Sequence, residues 1–190
     1  MRTVFEEGAI RIRPYEARDV DPLLEAARES ITEVYKWLPW CHPDYAREDS
    51  ADWVHSRPDQ WELDQDYSFV VEEVATGRFL GGAGLNQIDR IHLRANLGYW
   101  TRTGAEGGGI ATTATRLVAA FGFSELGLER LEILAAVPNL ASQRVAEKAG
   151  AIREGILRRR LFLFDRMHDA VSYSLVRADL SHGVRLTGSA

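Results

Sequence analysis

Three consecutive glycines, Gly107-Gly108-Gly109, stand directly before a run in which Ile110, Ala114, Leu117, Val118 and Phe121 recur at helical spacing. A glycine turn opening a helix is suited to holding phosphate. The N–H groups of the turn and first helical turn have no intrahelical partners, and the helix dipole adds positive potential there. Glycine also lets the backbone approach an anion closely and take positive φ. Thr112 would add a hydroxyl to a phosphate oxygen. Alone, the turn says only that an anion can rest on a helix start. No Lys-Ser/Thr follows the glycines, so this is not a P-loop, and the spacing is not G-x-G-x-x-G. A second helix start pairs Asn139, a natural N-cap, with the hydroxyl of Ser142 three residues on. His42, His55, His92 and His168 show no metal-ligand spacing, so no metal site is expected. Cys41 is the only cysteine, which excludes an internal disulfide, and a lone cysteine is more often inert than catalytic.

The elements that must position these residues follow from periodicity. Residues 8–14 alternate weakly and read as a strand ending at Pro14. Asp19 is the expected N-cap of a helix whose apolar face is Val20, Leu23, Leu24, Ala27, Ile31 and Val34. Trp37, Pro39, Trp40 and Pro43 break it into an aromatic loop, and a second helix follows over about 48–63, with Pro58 as a point of kinking or splitting. Residues 67–88 read as a β-hairpin around Ala75-Thr76-Gly77-Arg78, with Tyr67, Phe69 and Val71 on one face. A strand at 95–101 leads to the glycine turn and its helix. Alternating Leu131, Ile133, Ala135 and Val137 form a further strand, and a short helix over 139–148 stops at Gly150. Strands at about 152–163 and 167–176 flank the turn Phe164-Asp165-Arg166. The order β-α-α-β-β-β-α-β-α-β-β has no repeat and no linker. It predicts one mixed α/β domain over 1–180 with a flexible tail at 181–190.

A chain of 190 residues, 45% apolar and 27% charged, has the composition of an ordinary globular domain. The net charge of -5 argues against non-specific nucleic-acid binding and mildly favours a cationic partner. No apolar run approaches the ~20 residues of a membrane span, and no basic-then-apolar leader is present, so a cytoplasmic protein is expected.

In this order of elements the motifs become specific. Leu97-Gly98-Tyr99-Trp100, followed by Gly109-Ile110-Ala111-Thr112, resembles the coenzyme-A-binding segment of GNAT acetyltransferases. Within that superfamily the chain is similar to the branch of the ribosomal-protein N-terminal acetyltransferases RimJ and RimL. Pro138-Asn139-Leu140-Ala141-Ser142, Trp37-Leu38-Pro39-Trp40 and the closing segment Asp165 to Leu175 carry that likeness over about residues 8–178. The resemblance implies the GNAT fold: a mixed, mostly antiparallel sheet of about seven strands whose fourth and fifth strands splay, flanked by about four helices. It implies transfer of an acetyl group from acetyl-CoA directly to a primary amine, either a protein N-terminus or a small amine. A larger acyl group such as succinyl, or a CoA-sensing module without turnover, are the alternatives. Pairing of two copies is also implied.

The same likeness assigns the cosubstrate site to Tyr99, Trp100, Thr101, Gly107, Gly108, Gly109, Ile110, Ala111, Thr112, Asn139 and Ser142. Asn139 and Ser142 are the expected catalytic pair, with Ser142 protonating the departing sulfur. Trp37 and Trp40 are expected to bind the acceptor. Two departures stand out. Glu106 occupies a position that is usually Gln or Arg, and is expected to face solvent or pair with Arg102. Many relatives place a tyrosine acid on the last helix, where this chain has Ala146. Glu29, Glu33, Glu72 and Glu73 are candidate bases, none singled out, and Arg158-Arg159-Arg160 is read as a solvated strand end.

Overall fold

A computed structural model describes residues 1–182. Strands β1 (Phe5–Glu7) and β2 (Ile10–Pro14) are followed by helices α1 (Val20–Val34) and α2 (Arg47–Glu62). The hairpin β3 (Asp66–Glu73) and β4 (Phe79–Asp89) leads to β5 (Arg94–Thr101), α3 (Ile110–Ser124), β6 (Arg130–Ala136) and α4 (Leu140–Lys148). A last hairpin, β7 (Ile152–Leu163) and β8 (Arg166–Val176), runs into a 3₁₀ turn at Arg177–His182. The described residues form one eight-stranded sheet in the order β1-β2-β3-β4-β5-β6-β8-β7.

The eighth strand is β1. Where one strand was expected over 8–14, Gly8 turns the chain at φ 61° and Phe5–Glu7 pairs back on β2. Phe5 anchors it, meeting Phe121 edge-on at 6.0 Å. Ser181 and His182, read from the sequence as the start of a flexible tail, belong to the closing 3₁₀ turn, and the rest of that expected tail, 183–190, lies outside the described residues.

Apolar residues on both faces of β3 show why helices cover both sides of the sheet. Phe69 and Val71 join Leu117 and Phe121 of α3 in the main core, while Val70 packs with Leu23 of α1 and Val54 of α2 on the other side. Phe121 is the hub of the main core, with the rings of Trp61, Tyr67 and Phe69 at 5.6, 5.3 and 5.0 Å. Pro58 sits inside α2, which continues through it to Glu62.

Asp19 does not cap α1 with its side chain. Instead its carboxylate accepts from both terminal nitrogens of buried Arg13, at 2.7 and 2.8 Å, and from the Glu16 N–H at 2.7 Å. Arg13 draws the carboxylate back over β2, an ion pair that sequence spacing does not reveal.

Candidate active site

Among the described strands, β5 and β6 are the one parallel pair. They are hydrogen-bonded only over Arg94–Asn96 and Arg130–Glu132. Past that point β5 stays on β4 as far as Thr101, and β6 stays on β8 as far as Ala136. The two strands therefore splay, and their facing edges offer N–H and C=O groups to an amide-bearing ligand. The gap opens a cavity of about 740 Å³. Residues of the α3 start line it on one side and residues of α4 on another.

At the α3 end, Gly107 and Gly109 have φ of 84° and 73°, values that β-carbon-bearing residues rarely adopt. The first intrahelical bond runs from the Thr113 N–H to the Gly109 carbonyl. The N–H groups of Ile110, Ala111 and Thr112 are thereby left without helical partners and directed out of the helix start. These three residues, with Gly107 and Gly109, line the cavity; Gly108 does not. Glu106 is exposed, its backbone N–H bonded to the Thr103 carbonyl at 3.2 Å. It does not pair with Arg102. That guanidinium is buried, bonded to Glu29 (3.0 Å), Glu25 (2.8 Å) and the Phe79 carbonyl (3.2 Å). Glu29 also accepts the Gly104 N–H, so this network ties α1 to the segment entering the glycine turn.

At the α4 end, Asn139 is the N-cap that sequence suggests: its Oδ1 accepts from the Ser142 N–H at 3.0 Å. The helix closes in a Schellman arrangement, with Gly150 at φ 96° and bonds from Gly150 to Glu147 and from Ala151 to Ala146. Ala146 is fully buried in the main core. A tyrosine nevertheless reaches this helix from across the gap. The Tyr99 hydroxyl donates to the Ser142 carbonyl at 2.9 Å and lies 3.1 Å from Ser142 Oγ. One hydrogen cannot serve both, so Ser142 Oγ–H is the donor in the second contact. Burial pushes the Tyr99 hydroxyl up to about 12. Sequence reading placed Tyr99 at the cosubstrate and missed this bridge, because no spacing rule links residues 99 and 142.

A second cavity, of about 660 Å³, lies between the sheet and the α1–α2 segment. Leu38, Asn86, Gly98, Tyr99 and Trp100 line both cavities, so the two meet along β5. Trp40 lines this second cavity, whereas Trp37 lines the gap between the splayed strands. Trp100 stacks edge-on with Trp40 at 5.1 Å and so belongs to the second cavity as well as to the gap. Tyr15, Tyr45 and Trp53 line it too, but Trp61 is a core residue against Tyr67 and Phe69.

The candidate bases separate clearly. Glu29 is held below the usual carboxylate range by its hydrogen bond from Arg102, which unfits it to accept a proton. Glu72 is buried against Arg11 and Arg13, and Glu73 accepts from Thr76 in the β3–β4 turn. Glu33 lines the gap but pairs with Lys36. Cys41 is buried, its Sγ–H directed at the Ala27 carbonyl (3.4 Å), and burial pushes the thiol up to about 11. Of the arginine run only Arg160 lines the gap. Among the described residues no cluster of His, Cys, Asp and Glu could hold a metal ion.

Comparison with known proteins agrees with this geometry. The family described as "Acetyltransferase (GNAT) domain" matches residues 9–152. The chain is 31% identical over 175 residues to the Bacillus subtilis protein named "Putative ribosomal N-acetyltransferase YdaF", covering 90% of this chain and 92% of that one. A GCN5-related N-acetyltransferase from Brucella melitensis superposes with a TM-score of 0.79 at 26% identity, over 94% of this chain and 80% of the other. RimL, a ribosomal-protein acetyltransferase solved in complex with coenzyme A, shares the fold with a TM-score of 0.82 at 19% identity, over 91% and 97% of the two chains. With the splayed strands, the glycine turn and the family match in agreement, the chain belongs to the GNAT family, the N-acetyltransferases that draw their acetyl group from acetyl-CoA.

Proposed function

We propose that the pantetheine arm of acetyl-CoA lies between the free edges of β5 and β6, with its pyrophosphate on the N–H groups at the start of α3. A primary amine then reaches the thioester from the second cavity. The observation that carries this reading is the pairing of β5 with β6 over three residues only, which leaves two strand edges facing each other beside an open helix start.

The chemistry needs a neutral amine, a held thioester and a proton for the sulfur. The amine nitrogen attacks the thioester carbon, the C–S bond breaks, and the sulfur takes the Ser142 hydroxyl proton. Tyr99 turns its own proton from the Ser142 carbonyl to the serine oxygen and regains one from water. The proton lost by the amine goes to solvent. Asn139 fixes the first turn of α4 so that Ser142 keeps its place.

The relatives named for ribosomal proteins support a peptide N-terminus as one form of the acceptor. They also support a cytoplasmic setting. The exposed β7 edge, which carries Ile156 and Phe162, supports pairing of two copies. Calorimetric titration with acetyl-CoA, joined to a thiol-release assay over amines and peptides, tests the reading. One-to-one binding and release of CoA with an acceptor are expected. Binding without release on any acceptor would mark a sensor instead, and no binding would remove the cosubstrate site altogether.

A further inference from the structure

Resting on that reading, we infer that the second cavity takes a primary amine carried on an aromatic body, with no carboxylate beside the amine. Glycine backbone makes part of its lining, beside Ser68, Phe69 and Ala83. Gly84 and Gly98 face each other across β4 and β5, next to the pair Gly82 and Trp100. A β-carbon at Gly98 would meet nothing within 4 Å, so this position opens onto empty space. A β-carbon at Gly82 would lie 2.7 Å from Trp100 Nε1 and 2.9 Å from the Tyr15 hydroxyl, so these two side chains already lean over that glycine. The walls are aromatic: Trp40 packs edge-on to Trp100 (5.1 Å) and Tyr45 (5.6 Å), and Tyr15 edge-on to Trp53 (6.4 Å). Glycine backbone between aromatic walls, in a space of about 660 Å³, matches an aromatic ring better than a thin aliphatic chain.

Charge sets the second condition. The residues lining the cavity include Asp49, Asp52 and Asp66 and neither Lys nor Arg. Asp66 is paired with Arg57 at 3.2 Å, whose guanidinium lies over the Trp53 ring at 3.7 Å. Asp49 accepts the Ala46 N–H at the start of α2 and lies 3.9 Å from His42 Nε2. Asp52 stands exposed at the rim. The negative balance draws an amine in and repels a free α-carboxylate. Two sources meet this chemistry: an arylalkylamine, and a peptide beginning with an aromatic residue, whose carboxyl is tied up as an amide.

Thiol release is measured with tyramine, free tyrosine, spermidine, and equal-length peptides beginning with Phe, Ala or Ser. The expected result is kcat/KM roughly tenfold or more higher for tyramine or the Phe peptide than for spermidine and the Ala and Ser peptides. Free tyrosine should trail tyramine by a similar factor, and Asp52→Asn should narrow that gap. The better of tyramine and the Phe peptide identifies the source. Preference for spermidine or the Ala or Ser peptides, or equal use of tyrosine and tyramine, overturns the inference while leaving acetyl transfer intact. Titration of the CoA complex with tyramine and with the Phe peptide decides the matter even without turnover. Binding of either that weakens in Trp53→Ala, with acetyl-CoA affinity unchanged, supports the inference, and absence of binding by both overturns it.

Discussion

The Tyr99 hydroxyl has one hydrogen and two oxygens of Ser142 within reach, and the proposed proton path rests on that imbalance. Ser142→Ala should lower kcat roughly a hundredfold or more, with little change in acetyl-CoA affinity, in a stopped thiol-release assay. Tyr99→Phe should lower kcat less, because Ser142 keeps its own proton. The pH profile separates the two. With its hydroxyl pushed up to about 12 by burial, Tyr99 stays protonated where an ordinary tyrosine ionises, near pH ~10, so kcat should not fall there in the wild type. Its folded value lies above its unfolded one. It therefore contributes stability fully present below pH ~10 and lost as pH rises through about 12. Asn139 and Ser142 were legible in sequence because a cap and a first-turn hydroxyl are local patterns. Tyr99 was legible only as part of a motif, since its contact with residue 142 exists only once two strands have parted.

Helix starts and turns are where local sequence speaks most clearly. Gly77 and Gly150 take the positive φ that their turns require, and the β7–β8 hairpin turns on Phe164 and Asp165 at φ 50° and 58°. The strand β1 was missed because three residues are too few to show an alternation, and its pairing depends on Gly8 and on Phe121 far along the chain. On the proposed reading the α3 start binds through backbone, so Glu106→Gln should preserve or strengthen acetyl-CoA binding by removing a negative charge beside the proposed pyrophosphate position. Asn139→Ala should cost about 1 kcal/mol of unfolding free energy in denaturant titration. It should also slow turnover, because Ser142 loses the cap that fixes its N–H.

For the molecule as a whole, the two-sided burial of β3 goes with helices on both faces of the sheet: the alternation of Tyr67, Phe69 and Val71 marks one buried face in the sequence, whereas Val70 shows the other only once α1 and α2 pack on it. Phe121→Ala should destabilise the fold by about 3–5 kcal/mol in chemical unfolding, since its ring meets four others. The second cavity was the least legible part. Trp40 stands in a recognisable motif, but the glycines come from β4 and β5 and the aspartates from α2 and β3, four elements that meet only in the folded chain. The central claim, a cosubstrate site made of backbone at the splayed strands, is tested most directly by titrating acetyl-CoA into the wild type and Gly109→Val. A side chain at Gly109 meets open space yet cannot comfortably hold φ 73°, so the variant should fold and lose the turn that presents the amides. The account predicts one-to-one binding to the wild type and no measurable heat with a folded Gly109→Val; equal binding by both would contradict it.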